Sequence, residues 1–486
     1  MTGTTRRREY NASIYVDGEG ALTVDGLACT ELARRFGTPL FVISERQIRA
    51  NVAAFRDAFT SRYPKTDVLF ATKANNNPAV RRIFTSEGAG GDAFGYGELL
   101  VTLLAGTDPR IVVLNGWNKQ EPELELAIGA GAVVHLDAPE ELERVVAVAR
   151  RLRRRARIGL RTRLLLHSLD GVMSDWPDAG GDPEGESIGK NMRERDKFGI
   201  SLGDLVPLCK EAMAESSVEL LGLHHHLGRE LPDASLFRRT IEEQLDVGAM
   251  LRDECGWTAS YYDFGGGMAF GRAEGHGPLG RDRGSPTYDE YAEVITSSLA
   301  EGLHSRGLGR PRLLVEPGRS IGSDIGLLLG TVGMRKEVPE TGQVWIAVDA
   351  SQTQMANIGT GAWYYHPVAV EDRGAGTEVV NVADPQCWYG NLAFAVEMPR
   401  LEAGDLLAFL DTGAYCDTKS QNFNLSCKPA TVLVNDGAAE VIAERESLED
   451  VVRRFRLPPR LEQPGASQVV PGWSIDASSR VLRSHG

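Results

Sequence analysis

The sequence has few cysteines and no long apolar run. Its six cysteines lack the spacing of a disulfide framework, which favours a reducing compartment. No stretch approaches the ~18 uninterrupted apolar residues that a membrane span needs. The first 13 residues contain arginines but no apolar core of a secretion signal. We therefore expect a cytoplasmic protein without a membrane partner.

Acidic residues outnumber basic residues in this chain. The chain has 53 Lys and Arg against 67 Asp and Glu, a net charge of −14 at pH 7. Its basic runs, 6–8 and 151–155, are short. Nucleic-acid binding needs clustered positive charge, so the composition argues against such a partner. With 486 residues, of which 42% are hydrophobic, the chain is long enough for a two-domain enzyme.

Eight apolar, strand-like runs alternate with amphipathic helical stretches over the first two thirds of the chain. The runs lie near 68–73, 90–94, 111–115, 133–137, 157–163, 220–225, 261–264 and 313–316. This alternation predicts an α/β fold built on a (β/α)₈ barrel, whose chemistry lies at the carboxyl ends of the strands. Beyond Glu316, short β-rich segments at 343–348, 378–382, 405–410 and 430–434 predict a C-terminal all-β domain.

Lys73 ends the first of these runs. Burial disfavours the charged ammonium, so a lysine at the end of an apolar strand is expected to have a lowered pKa and to condense with an aldehyde. A lysine that simply extends into water is the alternative. Other predicted strand ends carry reactive or polar residues, which favours the first interpretation: Asp92, His224 to His226 with Arg229, Gly265 to Gly267, Glu316 and Arg319.

These residues fit a phosphorylated cofactor that bears an aldehyde. The glycine run lets backbone N–H groups approach a phosphate, and Arg319 can bind the same group through two hydrogen bonds. Both motifs are also common in ordinary turns. Of the three consecutive histidines, only His224 and His226 share a face of the strand. Because no Cys-x-x-Cys or His-Glu-x-x-His pattern supplies a third ligand, we expect no metal.

In their order, the motifs resemble those of the fold-type III pyridoxal-phosphate-dependent decarboxylases, the diaminopimelate and ornithine decarboxylase group. The resemblance covers about residues 25 to 455. It implies an alanine-racemase-like barrel at 45–320, a β domain at 321–457 joined by the N-terminal segment 1–44, and a tail at 458–486. The motifs are Ala-Thr-Lys73-Ala-Asn, Asp92 with Glu98, His-x-His226-x-Gly, Gly265 to Gly267, Glu316 to Arg319, Cys387 and Gly413-Ala-Tyr415.

The resemblance also implies roles for these residues. Lys73 would hold pyridoxal 5'-phosphate, with Asp92 beside it, His226 on its ring and Glu316 at its pyridine nitrogen. Cys387 would protonate the product from the partner subunit, which implies a homodimer with shared active sites. Gly266, Gly267, Arg319 and Tyr415 would bind the phosphate, and Gly265, Gly318 and Arg229 would also belong to the cofactor site.

Several positions depart from the family pattern. Arg229 replaces a usual serine and could contact either the phosphate or an acidic substrate. Trp388 and Tyr389 follow Cys387, where the family carries an acidic residue. In an ungapped alignment, Ile358 and Ala362 occupy the places of an arginine and a tyrosine that hold the far carboxylate of diaminopimelate.

We therefore expect an α-decarboxylase for an amino acid or its derivative other than meso-diaminopimelate, in specialised metabolism such as siderophore or antibiotic synthesis. Trp363, Trp388 and Tyr389 would line its substrate pocket, together with Arg229. The alternatives are a diaminopimelate decarboxylase that forms lysine, an amino-acid racemase, and an inactive cofactor carrier. The stretch 175–194 is expected to be a long loop, either a lid or a surface insertion.

Overall fold

The structure is a computed structural model that divides into two compact units. The first comprises Met1–Ser44, Gly326–Thr412 and Lys419–Gly486, and the second comprises Glu45–Ile325 and Gly413–Thr418. The predicted domain bounds stay predictions. The second unit includes residues 321–325 and 413–418, which the sequence assigned to the β domain. The structure describes residues 8–172, 188–229, 231, 233–271, 285–355, 358, 364–371, 374, 376–387, 391–456, 458–461, 473–475 and 482–484.

The first unit begins with a small antiparallel sheet, β1 to β4 in order, followed by a helix and a longer strand. Helix α1 has an arginine pair in its last turn and buries Cys29 and Leu32. Strand β5 is buried along its whole length. The bounds are β1 Arg8–Glu9, β2 Ile14–Val16, β3 Leu22–Val24, β4 Leu27–Ala28, α1 Cys29–Phe36 and β5 Leu40–Ser44.

The second unit contains a closed barrel of eight parallel strands, which confirms the predicted fold class. Its strands follow one another around the barrel in chain order, and pairing of the last with the first, Val315 with Val68, closes it. The strands are β6 Thr66–Ala71, β7 Gly90–Ala93, β8 Val112–Leu114, β9 Val133–Leu136, β10 Ala156–Arg161, β11 Val218–His224, β12 Tyr261–Asp263 and β13 Arg312–Val315.

Helices separate these strands, as the amphipathic stretches predict. The capping box of Thr287 and Glu290 starts the long helix α10, and Gly307 in the left-handed conformation ends it. Residues 175–187 of the predicted loop lie outside the described residues, and the rest of it forms a short helix, α7. The helices are α2 Glu45–Thr60, α3 Pro78–Ser86, α4 Tyr96–Leu104, α5 Glu121–Ala130, α6 Glu141–Leu152, α7 Ile188–Glu194, α8 Leu202–Ala214, α9 Ser235–Cys255, α10 Tyr288–Arg306 and α11 Arg319–Gly322.

The barrel is filled by side chains. Leu69, Val113, Val133, Tyr261 and Leu314 form one cluster of buried residues from five different strands. Two glycines make room for the large ring of Tyr261. A Cβ atom at Gly222 would lie 2.5 Å from that ring, and one at Gly159 would lie 2.2 Å from its hydroxyl.

The rest of the first unit is mainly β-structure around a second core. In its main sheet the strand order is β18-β17-β15-β14-β5-β20-β21, with β16 and β19 paired beside it. Strand β5 pairs antiparallel with β14 and parallel with β20, so the N-terminal segment contributes a central strand. The bounds are β14 Gly326–Val338, β15 Gln343–Val348, β16 Pro367–Ala369, β17 Thr377–Ala383, β18 Ala393–Pro399, β19 Leu406–Leu410, β20 Ala430–Asn435, β21 Ala438–Ala443, α12 Leu448–Val452, β22 Trp473–Ile475 and β23 Leu482–Ser484.

Among the described residues, no helix combines the length and the apolar composition needed to cross a bilayer.

Candidate active site

Lys73 lies just beyond the end of the first barrel strand. Strand β6 ends at Ala71, and Lys73 is the middle residue of a single 3₁₀ turn, Thr72–Ala74. Its Nζ lies 2.5 Å from Oδ2 of Asp92, the penultimate residue of the neighbouring strand β7. The Asp92 side chain is fully buried, whereas that of Lys73 is 39% exposed. The amine therefore faces the open end of the barrel.

The expected lowering of the Lys73 pKa is wrong. Burial acts to lower the Lys73 pKa, but electrostatic interactions, foremost with the Asp92 carboxylate, outweigh burial and raise it above its ordinary value. Lys73 is therefore an ammonium that must give up its proton before it can attack an aldehyde.

Two buried carboxyl groups share one amide. Nδ2 of Asn115, just after strand β8, donates to Oδ1 of Asp92 at 2.8 Å and to Oε1 of Glu316 at 2.7 Å. Burial raises the pKa of Asp92, with a further contribution from the charge of Glu316. Burial also raises the pKa of Glu316, while Lys73 and Asn115 oppose that rise. The sequence interpretation found both carboxylates but missed the residue between them.

More polar residues lie deeper in the barrel, and sequence reasoning missed most of their contacts. His135 stacks on His224 with ring centroids 4.8 Å apart. Nε2 of His224 is 3.6 Å from Oε2 of Glu316, beyond hydrogen-bond reach. Burial raises the pKa of Asp263 well above its ordinary range, and the neighbouring Glu316 adds to this rise. Polar residues within otherwise apolar barrel strands were the available signal.

One group of described residues has the composition of a metal site. Candidate ligand atoms of His135, His224, Asp263 and Glu316 all lie within 4.8 Å of one another. Both ring nitrogens of His135 already have partners, Oδ1 of Asn115 at 2.7 Å and the hydroxyl of Tyr261 at 2.8 Å. The pairing of His224 with His226, considered from the sequence, is not the one that the structure makes.

The histidine motif and the glycine run contact each other. Nδ1 of His226 accepts a hydrogen bond from the N–H of Gly266 at 3.2 Å. A Cβ atom at Gly265 would lie 2.6 Å from that same nitrogen, and one at Gly267 would lie 2.3 Å from the carbonyl oxygen of Gly228. The N–H of Gly265 donates to Oδ1 of Asp263 at 2.9 Å. Two of the three amides expected at a phosphate thus have protein partners here.

Arg319 and Tyr415 form a second polar group in the barrel unit. The guanidinium carbon of Arg319 lies 4.6 Å from the centroid of the Tyr415 ring. The Tyr415 backbone is left-handed, at φ 60°, and its N–H donates to the carbonyl oxygen of Ala74 at 2.7 Å. A Cβ atom at Gly318 would lie 2.7 Å from the Tyr415 hydroxyl. Arg229 is exposed after strand β11.

Cys387 belongs to the other compact unit and is exposed. Its Sγ lies 3.6 Å from Nδ2 of Asn424, which also donates to Oε1 of Gln386 at 2.9 Å. Three predicted substrate-pocket residues, Trp363, Trp388 and Tyr389, lie outside the described residues, as does Ala362. Ile358 is described and is buried.

The donor set fits the cofactor that the sequence suggested. An amine faces an open barrel end, a buried carboxylate is available for a protonated ring nitrogen, and an arginine lies beside a tyrosine for a phosphate. These features together define the class of barrel enzymes that hold an aldehyde cofactor on a lysine.

Comparisons with known proteins support an enzyme with an aldehyde cofactor. Residues 45–323 match the family model for the pyridoxal-dependent decarboxylases, pyridoxal binding domain. The diaminopimelate decarboxylase of Methanothermobacter thermautotrophicus is 32% identical over 450 residues, 92% of this chain and 98% of that protein. The same enzyme of Archaeoglobus fulgidus is 32% identical over 452 residues, covering 92% of this chain and 99% of that one. A diaminopimelate decarboxylase structure from M. jannaschii, in complex with L-lysine, superposes with a TM-score of 0.83 at 27% identity, over 93% of this chain and 99% of that chain.

The chain therefore belongs to the pyridoxal-dependent decarboxylase family. It is a lyase that uses pyridoxal phosphate, as the sequence predicted. The expectation of a substrate other than diaminopimelate is not supported, because relatives matching more than nine tenths of the chain are named diaminopimelate decarboxylases.

Proposed function

We propose that this protein decarboxylates diaminopimelate to lysine. The observation that carries its decarboxylase chemistry is the arrangement of Lys73, Asp92 and Glu316 at one end of the barrel. The substrate is inferred from the names of relatives that align over almost the whole chain. Lysine bound to the M. jannaschii structure is consistent with a product of this kind.

Each proposed role follows from a contact. Lys73 would hold pyridoxal phosphate through its ε-amino group, and Glu316 would face the pyridine nitrogen. His226, held by the N–H of Gly266, would pack on the ring. When bound, the cofactor supplies an electron sink for the pair left when carbon dioxide departs. The proposed phosphate ligands are Gly266, Gly267, Arg319 and Tyr415. Gly265 and Gly318 would also contact the cofactor, and Arg229 would be either a further phosphate ligand or a contact to an acidic substrate.

Asp92 would accept the proton of the Lys73 ammonium. The Lys73 pKa is raised, so its ammonium must lose a proton, and Asp92 Oδ2 at 2.5 Å is positioned to take it. Burial raises the pKa of Asp92, which makes that carboxylate a better base than an exposed aspartate.

We further propose that Cys387 of a second copy of the chain protonates Cα, so that the active enzyme is a homodimer. Cys387 is exposed in this single chain and has Asn424 beside its sulfur. A thiol that is exposed and has a hydrogen-bonding side chain beside its sulfur is suited to proton delivery.

Mixing two inactive variants tests this sharing. Lys73→Ala and Cys387→Ala homodimers should each be inactive. Mixed subunits form one intact site per heterodimer, so random exchange should restore about a quarter of the wild-type activity. If no activity returns after verified subunit exchange, Cys387 does not act across an interface.

A substrate panel tests the reaction itself. Carbon dioxide release should be fastest with meso-diaminopimelate among diaminopimelate, lysine, ornithine and N-acylated amino acids. Release from another member, with none from diaminopimelate, would overturn the substrate. A change of optical rotation without release of carbon dioxide would identify a racemase instead. A carboxylate at the pyridine nitrogen disfavours that outcome because it strengthens the electron sink.

A further inference from the structure

A chain of hydrogen bonds with one direction runs beneath the two carboxylates of the site. Both amide hydrogens of Asn115 are used, one by Asp92 and one by Glu316. Its Oδ1 must therefore accept, and Nδ1 of His135 at 2.7 Å is the donor. Nε2 of the same neutral ring then accepts from the Tyr261 hydroxyl at 2.8 Å. Each link determines the orientation of the next.

The barrel is built to hold this chain. Asn115, His135 and Tyr261 lie on three different strands or strand ends and are all at most 5% exposed. At Gly159 a Cβ atom would lie 2.2 Å from the Tyr261 hydroxyl and 2.7 Å from Cδ2 of His135. A side chain there would displace the pair, so the glycine preserves their contact.

We propose that Asn115, held from beneath by His135 and Tyr261, is a positioning residue that sets the separation and orientation of Asp92 and Glu316. This inference rests on the roles given to those two carboxylates in the proposed function. Asn115 would act through them, on the amine at one side and on the ring nitrogen at the other. Neither His135 nor Tyr261 would need to contact the cofactor.

Other charged and titratable groups around the two carboxylates influence any pH measurement. They come from the ends of several strands and from the turns and helices that follow them. They are Lys73, Glu98, Arg161, His135, His224, Asp263 and Tyr415. A useful test therefore changes one hydrogen bond at a time and leaves these groups in place.

Three variants of the cofactor-loaded enzyme provide that test. Asn115→Leu removes both donors. Tyr261→Phe removes one oxygen, which three hydrogen bonds separate from either carboxylate. Tyr262→Phe is the matched control, because Tyr262 is the next residue on the same strand and packs outward, toward Gly248 of helix α9. The readouts are the pH titration of the visible absorbance of the bound cofactor, the cofactor dissociation constant, and kcat and KM separately.

The expected pattern is graded. Asn115→Leu should lower kcat about 10-fold to 100-fold, since two charge-assisted hydrogen bonds are lost. KM should change little, because the variant loses no contact with the substrate. Its absorbance titration should shift by about one pH unit. Tyr261→Phe should shift the titration less and in the same direction, and Tyr262→Phe should not shift it.

Two results would overturn the inference. One is a wild-type titration and cofactor affinity in Asn115→Leu; the other is an equal shift in Tyr262→Phe and Tyr261→Phe, which would indicate general packing. If Asn115→Leu does not fold, the two tyrosine variants decide. The absorbance readout requires only cofactor on Lys73, so a wild-type protein that binds cofactor but leaves diaminopimelate intact would contradict the proposed substrate and not this inference.

Discussion

Two lysine–carboxylate pairs in the same barrel behave in opposite ways. Lys119 is 2% exposed and lies 3.0 Å from Oε2 of Glu141. Its ammonium also contacts the other oxygen of Glu141 and the carbonyl oxygen of Gly116. Lys73 is 39% exposed, and Asp92 is the hydrogen-bond partner of its amine among the described residues. Burial lowers the pKa of Lys119 despite Glu141, whereas carboxylates raise the pKa of Lys73 despite burial.

The difference separates a structural lysine from a reactive one. Lys119 has its protons occupied and joins strand-end residues to helix α6 through Glu141. Lys73 keeps part of its surface open and its proton beside a single carboxylate. A lowered pKa is therefore a poor guide to the reactive lysine of this barrel; exposure at its open end, next to a proton acceptor, distinguishes it.

Removing Lys73 should have the largest effect. Lys73→Ala should lower kcat/KM on the order of 10⁴-fold, because the group that holds the cofactor is lost. Borohydride reduction and peptide mass spectrometry should find the pyridoxyl group on Lys73 of the wild type and on no peptide of the variant. A pyridoxyl adduct on Lys119 in either protein would reverse the assignment of the two lysines.

Removing Lys119 should reduce stability and leave chemistry intact. Lys119→Met leaves the Glu141 carboxylate buried without its partner, so the free energy of unfolding should fall by about 3–5 kcal/mol. Denaturant unfolding measures this change. The double variant Lys119→Met with Glu141→Leu should recover most of the loss, since a buried pair replaced by apolar residues costs little. Cofactor-binding assays below the unfolding transition should show wild-type affinity; weak binding there would assign Lys119 to the site.

Neutralising Asp92 should make the two lysines more alike. In Asp92→Asn the pKa of Lys73 should fall, because the charge of Asp92 is the largest contribution that raises it. The pH dependence of reductive methylation of Lys73 in cofactor-free protein measures this shift, with the buried Lys119 as internal control. Turnover should fall about 100-fold, as for loss of a proton acceptor. An unchanged methylation profile would mean that Asp92 does not set the charge of the amine.

The smallest effect concerns His225, a buried histidine of the barrel outside the two lysine pairs, whose pKa is shifted mainly by burial. Burial lowers the pKa of His225 to about 4. The unfolded state, near 6.5, binds its proton first as pH falls, so His225 costs stability progressively from pH 6.5 down to about 4. His225→Asn can keep a donor toward the carbonyl oxygen of Thr162. As pH falls from 6.5 to about 4, the free energy of unfolding of this variant should fall less steeply than that of the wild type, by about 1.4 kcal/mol per pH unit. The exposed His167→Asn is the control, and an equal slope in both variants would refute the burial argument.

The sequence was sufficient for the barrel and for the residues that face its open end. Apolar runs bounded by turns specify parallel strands, and Lys73, Asp92, Glu316 and Arg319 stand where such runs end. Because the strand ends of a closed barrel converge, the sequence alone was enough to place these residues in one site. Helix α1 and the short helix α7 were missed. They have only eight and seven residues, and helices of that length are marginal by themselves and depend on tertiary packing.

Only the tertiary structure decided which partners each polar group has. Asn115, His135 and Tyr261 are far apart in sequence, and nothing in their spacing shows that one donates to the next. The sign of the Lys73 pKa shift likewise depends on how close Asp92 and Glu316 come, because electrostatic interactions vary with distance and burial. Residue types and strand ends are local properties that a sequence displays; donor direction and charge balance arise when distant strands close into one barrel.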